Sequence, residues 1–329
     1  MENNILFCNK CCIYDNNENS ILIYGHYTNK FINIYIENIQ DYEVVFNYCR
    51  PDFFIKLKNC SPNDTSIIKT IHFNYGCFSI TQADISLEFP FENCKIELLK
   101  DRSAIITTMC KDYSHRLDEW IQYNLKLGFS GIIIFDNSLN TKNPLNETLK
   151  NCCNERNMRE ITDKYKEKVF LVDFPYSPFD NEHWNNIQRI TLSLGVKAFK
   201  NKCKYISLID ADEFYYLPEN PRQSIEDFLN IYSSTIISES NVITNTNNDD
   251  IINNNIIKLC EYIGDCNFTK VILDTNTIHD EFIVSPHDYQ SYVSLPKEKI
   301  IHYHAWVNSR YEHLPSMPKT GVLQEFFYN

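Results

Sequence analysis

The sequence predicts an α/β domain built on a mostly parallel sheet, preceded by a smaller all-β domain. Three observations point there. Residues 1–100 run in short alternating or aromatic-rich stretches, separated by turn residues at intervals of roughly 8–12 positions, as in a β-sandwich or barrel. From Asp101 the texture changes to apolar strand, amphipathic helix, apolar strand, and then repeats. Acidic residues stand directly after the second and fourth of these apolar runs. The chain is therefore divided into a sandwich-like β-rich domain at 1–100 and an α/β domain at 101–329.

In the first part, the runs Ile21–Tyr24, Phe31–Ile36, Phe53–Leu57 and Ile71–Phe73 are read as strands, and no helical stripe of useful length occurs. In the second part, Ser103–Met109 reads as a buried strand. Leu117, Trp120, Ile121, Asn124 and Leu125 follow at helical spacing, with Gly128 as the stop. Gly131–Phe135 is the next strand and ends in Asp136-Asn137-Ser138. A strand, a helix and a strand within about 35 residues make a βαβ unit with a parallel pair. Val169–Val172 gives a third strand. Residues 183–200 give a helix with Ile187, Ile190, Leu194 and Ala198 on one face. Tyr205–Ile209 gives a fourth strand, ending in Asp210-Ala211-Asp212-Glu213-Phe214. The Asn-, Asp- and Thr-rich tract Asn241–Asn255 is expected to be a mobile loop.

Composition removes several function classes. A formal charge of −12 disfavours binding of nucleic acid through phosphate contacts. Only 7 glycines are present, with neither a G-x-G-x-x-G nor a Walker A motif. No apolar run approaches the length of about eighteen residues that a transmembrane helix needs, and Met1-Glu2-Asn3-Asn4 does not open like a signal peptide. The 13 cysteines, among them Cys8, Cys11 and Cys12 in one turn's length, are expected as buried thiols in a reducing cytoplasm. The Asn- and Ile-rich composition suggests an AT-rich genome, and if that genome is viral, the cytoplasm is the host's.

The chemistry is expected at the ends of the strands. In an open parallel sheet, ligands bind outside the carboxyl ends of the strands. Asp136 lies at one such end, and Asp210, Asp212 and Glu213 lie at another. Two carboxylates on one short turn can hold a hard divalent cation that bridges nucleotide phosphates. Three acids wedged between Leu208-Ile209 and Phe214-Tyr215-Tyr216-Leu217 are costly unless cations or donors satisfy them. His302 and His304 alternate along Ile300–Trp306 and so share one strand face. Trp120 is expected as core. Trp184 and Gln188, one helical turn apart, and Trp306 can each face a sugar or fill core.

Several ordered segments resemble glycosyltransferase family 92 and its family 2-like relatives. They are Thr107–Asp112, Glu119–Asn124 with Leu127-Gly128, Phe135–Ser138, Trp184 with Gln188, Tyr205–Phe214, Lys270–Ile272 with His287, and His302-Tyr303. Asn124 stands where the family pattern has His, and Lys111-Asp112 where it has Asn-Glu. The resemblance implies a GT-A fold, a Rossmann-like nucleotide-sugar-binding sheet that uses Mn²⁺ or Mg²⁺. It further implies an inverting transfer from a UDP-sugar, UDP-galactose among them, to a glycan or other hydroxyl acceptor. On this reading Thr107, Asp136, Gln188 and Asp210 bind the nucleotide sugar, and Asp210, Asp212 and His302 bind the metal. An inverting transfer needs a general base near the acceptor hydroxyl. Asp265, Glu281 and Asp288 are the candidates, with Asp288 favoured for adjoining His287. Two other readings stand beside it: a D-x-D nucleotidyltransferase, and a non-catalytic carbohydrate-binding or assembly module derived from the same fold. Oligomeric state is left open.

Overall fold

The structure is a computed structural model that describes residues 5–28, 33–63, 68–75, 78–96, 99–138, 157–180, 182–244, 257, 262–278, 282–283, 285–306 and 321–328. The chain divides into two compact units. The first is Met1–Cys94 with Phe174–Ala198 and Asp280–Phe282, and the second is Lys95–Asp173, Phe199–His279 and Ile283–Asn329. The helices that matter below are α1 (Ser114–Leu127), α2 (Met158–Thr162), α3 (Asn185–Phe199), α4 (Ile225–Tyr232) and α5 (Val322–Tyr328). No helix among the described residues is long and apolar enough to cross a membrane.

The first unit holds β1 (Ile5–Phe7), β2 (Ile13–Asp15), β3 (Ser20–Tyr27), β4 (Asn33–Ile36), β5 (Tyr42–Phe46), β6 (Asp52–Lys58), β7 (Thr70–Tyr75) and β8 (Phe78–Ala83). They form one sheet in the order β1-β3-β6-β5, with β2 added to β3, and a second sheet β4-β7-β8. Every pairing is antiparallel. Alternation explains the core. Ile21, Ile23, Phe53, Ile55 and Leu57 of the larger sheet meet Ile34, Ile36, Ile71 and Phe73 of the smaller one. On the other parity, Tyr24 and Phe54 pack edge to face 5.1 Å apart, and Phe54 lies under Lys197 of α3. The unit is therefore not purely β, because α3 belongs to it.

A buried charge network ties α3 to the sheet. His26 Nδ1 lies 2.7 Å from Asp52 Oδ1, and its Nε2 lies 2.7 Å from Glu182 Oε1. Arg189 donates from Nε and Nη2 to the two Asp52 oxygens at 3.2 and 3.0 Å. Arg189 and the His26 ring thus satisfy the buried Asp52, and His26 links it to Glu182.

The second unit holds β9 (Ala104–Cys110), β10 (Gly131–Asp136), β11 (Val169–Asp173), β12 (Tyr205–Ser207), β13 (Glu213–Tyr216), β14 (Ile236–Thr244), β15 (Tyr262–Asp274), β16 (Val293–Leu295) and β17 (Ile301–Trp306). Their order is β11-β10-β9-β12-β15-β14-β17-β13, with β16 added to β14. The mostly parallel, Rossmann-like sheet expected from the sequence does not form, nor does the GT-A arrangement the resemblance implied. Strands β11, β10, β9 and β12 are parallel. Beyond them β15 runs antiparallel to both β12 and β14, and β13 runs antiparallel to β17. The sheet is mixed, and the chain as a whole is rich in antiparallel pairs. The physical reason is connection length. Strands β14 and β15 follow one another in the chain and pair antiparallel, which needs no crossover, whereas β14 pairs parallel with β16 and β17 after the chain has crossed back. The tract expected as a loop from Asn241 begins instead as the end of β14, through Thr244; residues 245–255 lie outside the described residues.

Helix α1 ends as its sequence predicts, at Gly128 with φ of 103°. It buries Leu117, Trp120, Ile121, Tyr123 and Leu127. Strand β13 is a sheet edge, so its outer carbonyls need partners. Trp120 Nε1 donates to Glu213 O at 2.8 Å, and Tyr123 Oη to Tyr215 O at 2.6 Å. Trp120 is core, as expected, and it also holds the strand that carries Glu213.

Candidate active site

The parallel block keeps the feature that matters for ligand binding. Asp136 stands in register with Cys110 at the carboxyl ends of β10 and β9, and Ser207 ends β12 beside Ile106. The residues after Ser207 continue to the same edge of the sheet. There the chain turns: the Glu213 N–H donates to Asp210 O at 3.1 Å, and the Asp210 N–H donates to Glu213 Oε2 at 2.9 Å. The Ala305 N–H of β17 donates to Asp212 O at 2.8 Å and fixes the middle of the turn.

One lysine organises the acids. Lys270, on β15, places Nζ 2.6 Å from Asp210 Oδ2 and 3.1 Å from Glu213 Oε2. Lys270 and Glu213 are each only 1% exposed, whereas Asp210 is 31% exposed. Burial pulls the Lys270 pKa down, but the two carboxylates outweigh it and hold the ammonium above its usual value. Burial likewise works against Asp210, and the ammonium outweighs it, so Asp210 stays below the usual carboxylate range. Glu213 loses this competition. Burial pushes it up to about 7, with Lys270 only partly offsetting that.

His304 completes the cluster. Its Nε2 lies 3.2 Å from Asp212 Oδ2 and its Nδ1 lies 3.7 Å from Glu213 Oε1. Burial lowers its pKa, but Asp212 and then Glu213 raise it further, so the net shift is upward. His302 is placed differently. Its Nδ1 sits 2.8 Å from Ser238 Oγ, and its buried Nε2 has no hydrogen-bond partner among the described residues. Burial and then Lys270 push its pKa well down. The imidazole facing Asp212 is thus that of His304. The shared strand face of the two histidines was legible, but which of them meets the acids depends on the β13–β17 register, where Glu213 opposes His304.

The other residues singled out from the sequence are dispersed. Thr107 is fully buried within β9, with no partner for its Oγ1 among the described residues. Asp136 accepts the Ser138 N–H at 2.9 Å, and burial raises its pKa. Gln188 and Trp184 lie in the first unit, whereas Asp210 and Asp212 lie in the second. Asp265 pairs with Asn241 along β15; its side chain, that of Trp306 and the whole of Glu281 lie outside the described residues. Asp288 is exposed beside His287. His287 is strapped to β15, its Nδ1 2.6 Å from Thr269 O, while Thr269 Oγ1 donates to His287 O at 2.5 Å. Partial burial and the Lys270 charge lower the His287 pKa.

Lys270 had no assigned role from the sequence. Its signal was available, since a lone lysine opens the apolar run Lys270-Val271-Ile272-Leu273. A buried cation in such a run demands a carboxylate partner.

The Asp212–His304 pair suits a divalent ion. Oxygen and nitrogen donors 3.2 Å apart have about the spacing of neighbouring ligands on an octahedral ion with bonds of roughly 2.1 Å. Both side chains reach solvent, at 30% and 14% exposure. Among the described residues no group of three or more His, Cys, Asp or Glu side chains is placed to hold a metal ion. Asp210 fits less well, because its Oδ2 is spent on Lys270.

No protein-family model matches the chain, and no curated protein matches it.

Proposed function

We propose that the chain transfers a sugar from a UDP-sugar to a hydroxyl of a glycan acceptor. The observation that carries this reading is the Asp210–Glu213 turn at the carboxyl ends of β9, β10 and β12, with Asp212 and His304 paired and partly exposed there. Nucleotide-sugar chemistry needs a place for a diphosphate, and an acidic turn at this end of a parallel block is suited to a cation-bound one. Asp212 and His304 would hold Mn²⁺ or Mg²⁺, and that ion would neutralise charge growing on the leaving diphosphate. The chain's own residues prepare the site. Lys270 takes up the charge of Asp210, and Glu213, carrying a proton part of the time near neutrality, closes the turn through the Asp210 N–H. Asp136 lines the same edge and can bind a ribose or base by hydrogen bonds. Asp288 is the candidate base with a described side chain, and inversion at the sugar carbon is part of this reading. Buried free thiols at Cys8, Cys12, Cys110 and Cys203 support a reducing, cytoplasmic setting.

The test is a donor-hydrolysis screen of UDP-, GDP- and CMP-sugars with Mn²⁺. Wild type should release UDP, and Asp212→Ala should lower the rate by at least about a hundredfold. Equal rates in the two proteins would remove Asp212 from the chemistry.

A further inference from the structure

Strand β15 carries a defect beside the acidic turn. Along its pairing with β14, Thr269 opposes Glu239 while Cys266 opposes Ser240, so Asn267 and Phe268 stand opposite no residue. Such a bulge re-aims a side chain and frees backbone groups. Here the freed carbonyl of Phe268 is satisfied by Ser240 Oγ at 2.7 Å. The Phe268 ring is 48% exposed, two residues before the fully buried Lys270. A single exposed aromatic needs no explanation by itself. This one is supported. Its ring lies 5.9 Å from the His287 ring at 36°, and three hydrogen bonds hold the His287 segment against β15: the two shared with Thr269, and Val271 N–H to Pro286 O at 3.1 Å. A carbonyl oxygen only accepts, so His287 Nδ1 must carry the hydrogen it gives to Thr269 O. In the neutral ring Nε2 then offers a lone pair.

We propose that Phe268 and His287 form the acceptor-sugar subsite, the Phe268 ring stacking on the apolar face of a pyranose and His287 Nε2 accepting a hydrogen bond from one of its hydroxyls. A pyranose presents C–H bonds on one face and hydroxyls at its rim, which matches an aromatic ring flanked by a hydrogen-bond acceptor. This assignment rests on the transferase reading, because it gives the second substrate its place next to the first.

The test measures sugar binding and donor turnover separately. Methyl glycosides of glucose, galactose, mannose and N-acetylglucosamine are titrated, with UDP and Mn²⁺ present, against wild type, Phe268→Ala and Phe268→Tyr by saturation-transfer NMR. UDP-sugar hydrolysis is followed in parallel. Wild type should bind at least one glycoside. Phe268→Ala should weaken it by roughly tenfold, Phe268→Tyr should retain it, and His287→Ala should weaken it while His287→Asn partly restores it. Phe268→Ala should lower glycoside binding by a larger factor than it lowers donor hydrolysis. Hydrolysis in wild type with no glycoside binding, or with binding indifferent to Phe268, overturns the subsite and leaves the transferase reading. Phe268-dependent glycoside binding without hydrolysis of any donor supports the sugar platform and overturns the transferase reading.

Discussion

Lys270 decides how the acids of the second unit share charge. Its ammonium is within 3.1 Å of two carboxylates, one wholly buried, and removing it leaves the buried Glu213 with only the more distant His304 as a cationic neighbour. Lys270→Met is expected to cost about 3–5 kcal/mol, as for other broken buried ion pairs, measured by urea unfolding. Glu213→Gln should cost about 1 kcal/mol or less, because Glu213 already titrates near 7 and an amide oxygen can still accept the Asp210 N–H. A loss as large as that of Lys270→Met would show that Glu213 works as an obligatory anion. At this scale the sequence exposed the acids but not their partners. Asp210, Asp212 and Glu213 announce themselves by spacing, whereas Lys270 is 57 residues or more away in sequence and is recognisable only as a charge in an apolar run. Asn124 illustrates the opposite case. Its amide donates to Trp120 O at 2.9 Å on the buried face of α1, a role internal to the helix.

Elements were legible where their own periodicity sets them. The first βαβ unit appears nearly where alternation and the Gly128 stop put it, because one face of each element must be buried and the pattern records which. Pairing partners were not legible. The pattern of β14 or β15 says that a strand forms, not whether its neighbour runs with or against it, since that is decided by connections and register far along the chain. In the first unit, pairing creates its own constraint: Gly25 lies opposite Phe53, and a Cβ there would stand 2.0 Å from the Phe53 ring. Gly25→Ala should cost about 1–3 kcal/mol through overpacking, read from the unfolding midpoint; an unchanged midpoint would mean that the buried ring moves freely. The His26 network makes a prediction about pH. Burial lowers the His26 pKa, but its bonds to Asp52 and Glu182 more than compensate, and the net shift is upward. The resulting stability is fully present below the unfolded value of about 6.5 and is lost as pH rises through the folded one. Asp52 is shifted down, so its share persists above the unfolded carboxylate value and disappears only in acid. The stability gap between wild type and His26→Gln should therefore be larger at pH 6 than at pH 8.5. An equal gap at both would mean that His26 is neutral in the network.

At the scale of the whole molecule, two units with separate cores come from one chain that crosses between them, since Phe174–Ala198 and Asp280–Phe282 join the N-terminal strands. A linear reading draws one boundary near residue 100 because texture changes there, and it has no means of seeing that later segments return. In the second unit, five strands that follow the parallel block complete a mixed sheet and bring β15 and β17 to the acidic turn, supplying Lys270 and His304. The site is thus assembled from the parallel block and the mixed remainder of the sheet, and the proposed activity depends on Asp212 and His304 meeting a nucleotide there. Calorimetric titration of UDP in the presence of Mn²⁺ into wild type, Asp212→Asn and His304→Ala tests that most directly. The account predicts saturable binding by wild type, weakened at least about tenfold in each variant, with the fold intact by circular dichroism. Binding that is absent from wild type, or unchanged in both variants, would contradict it.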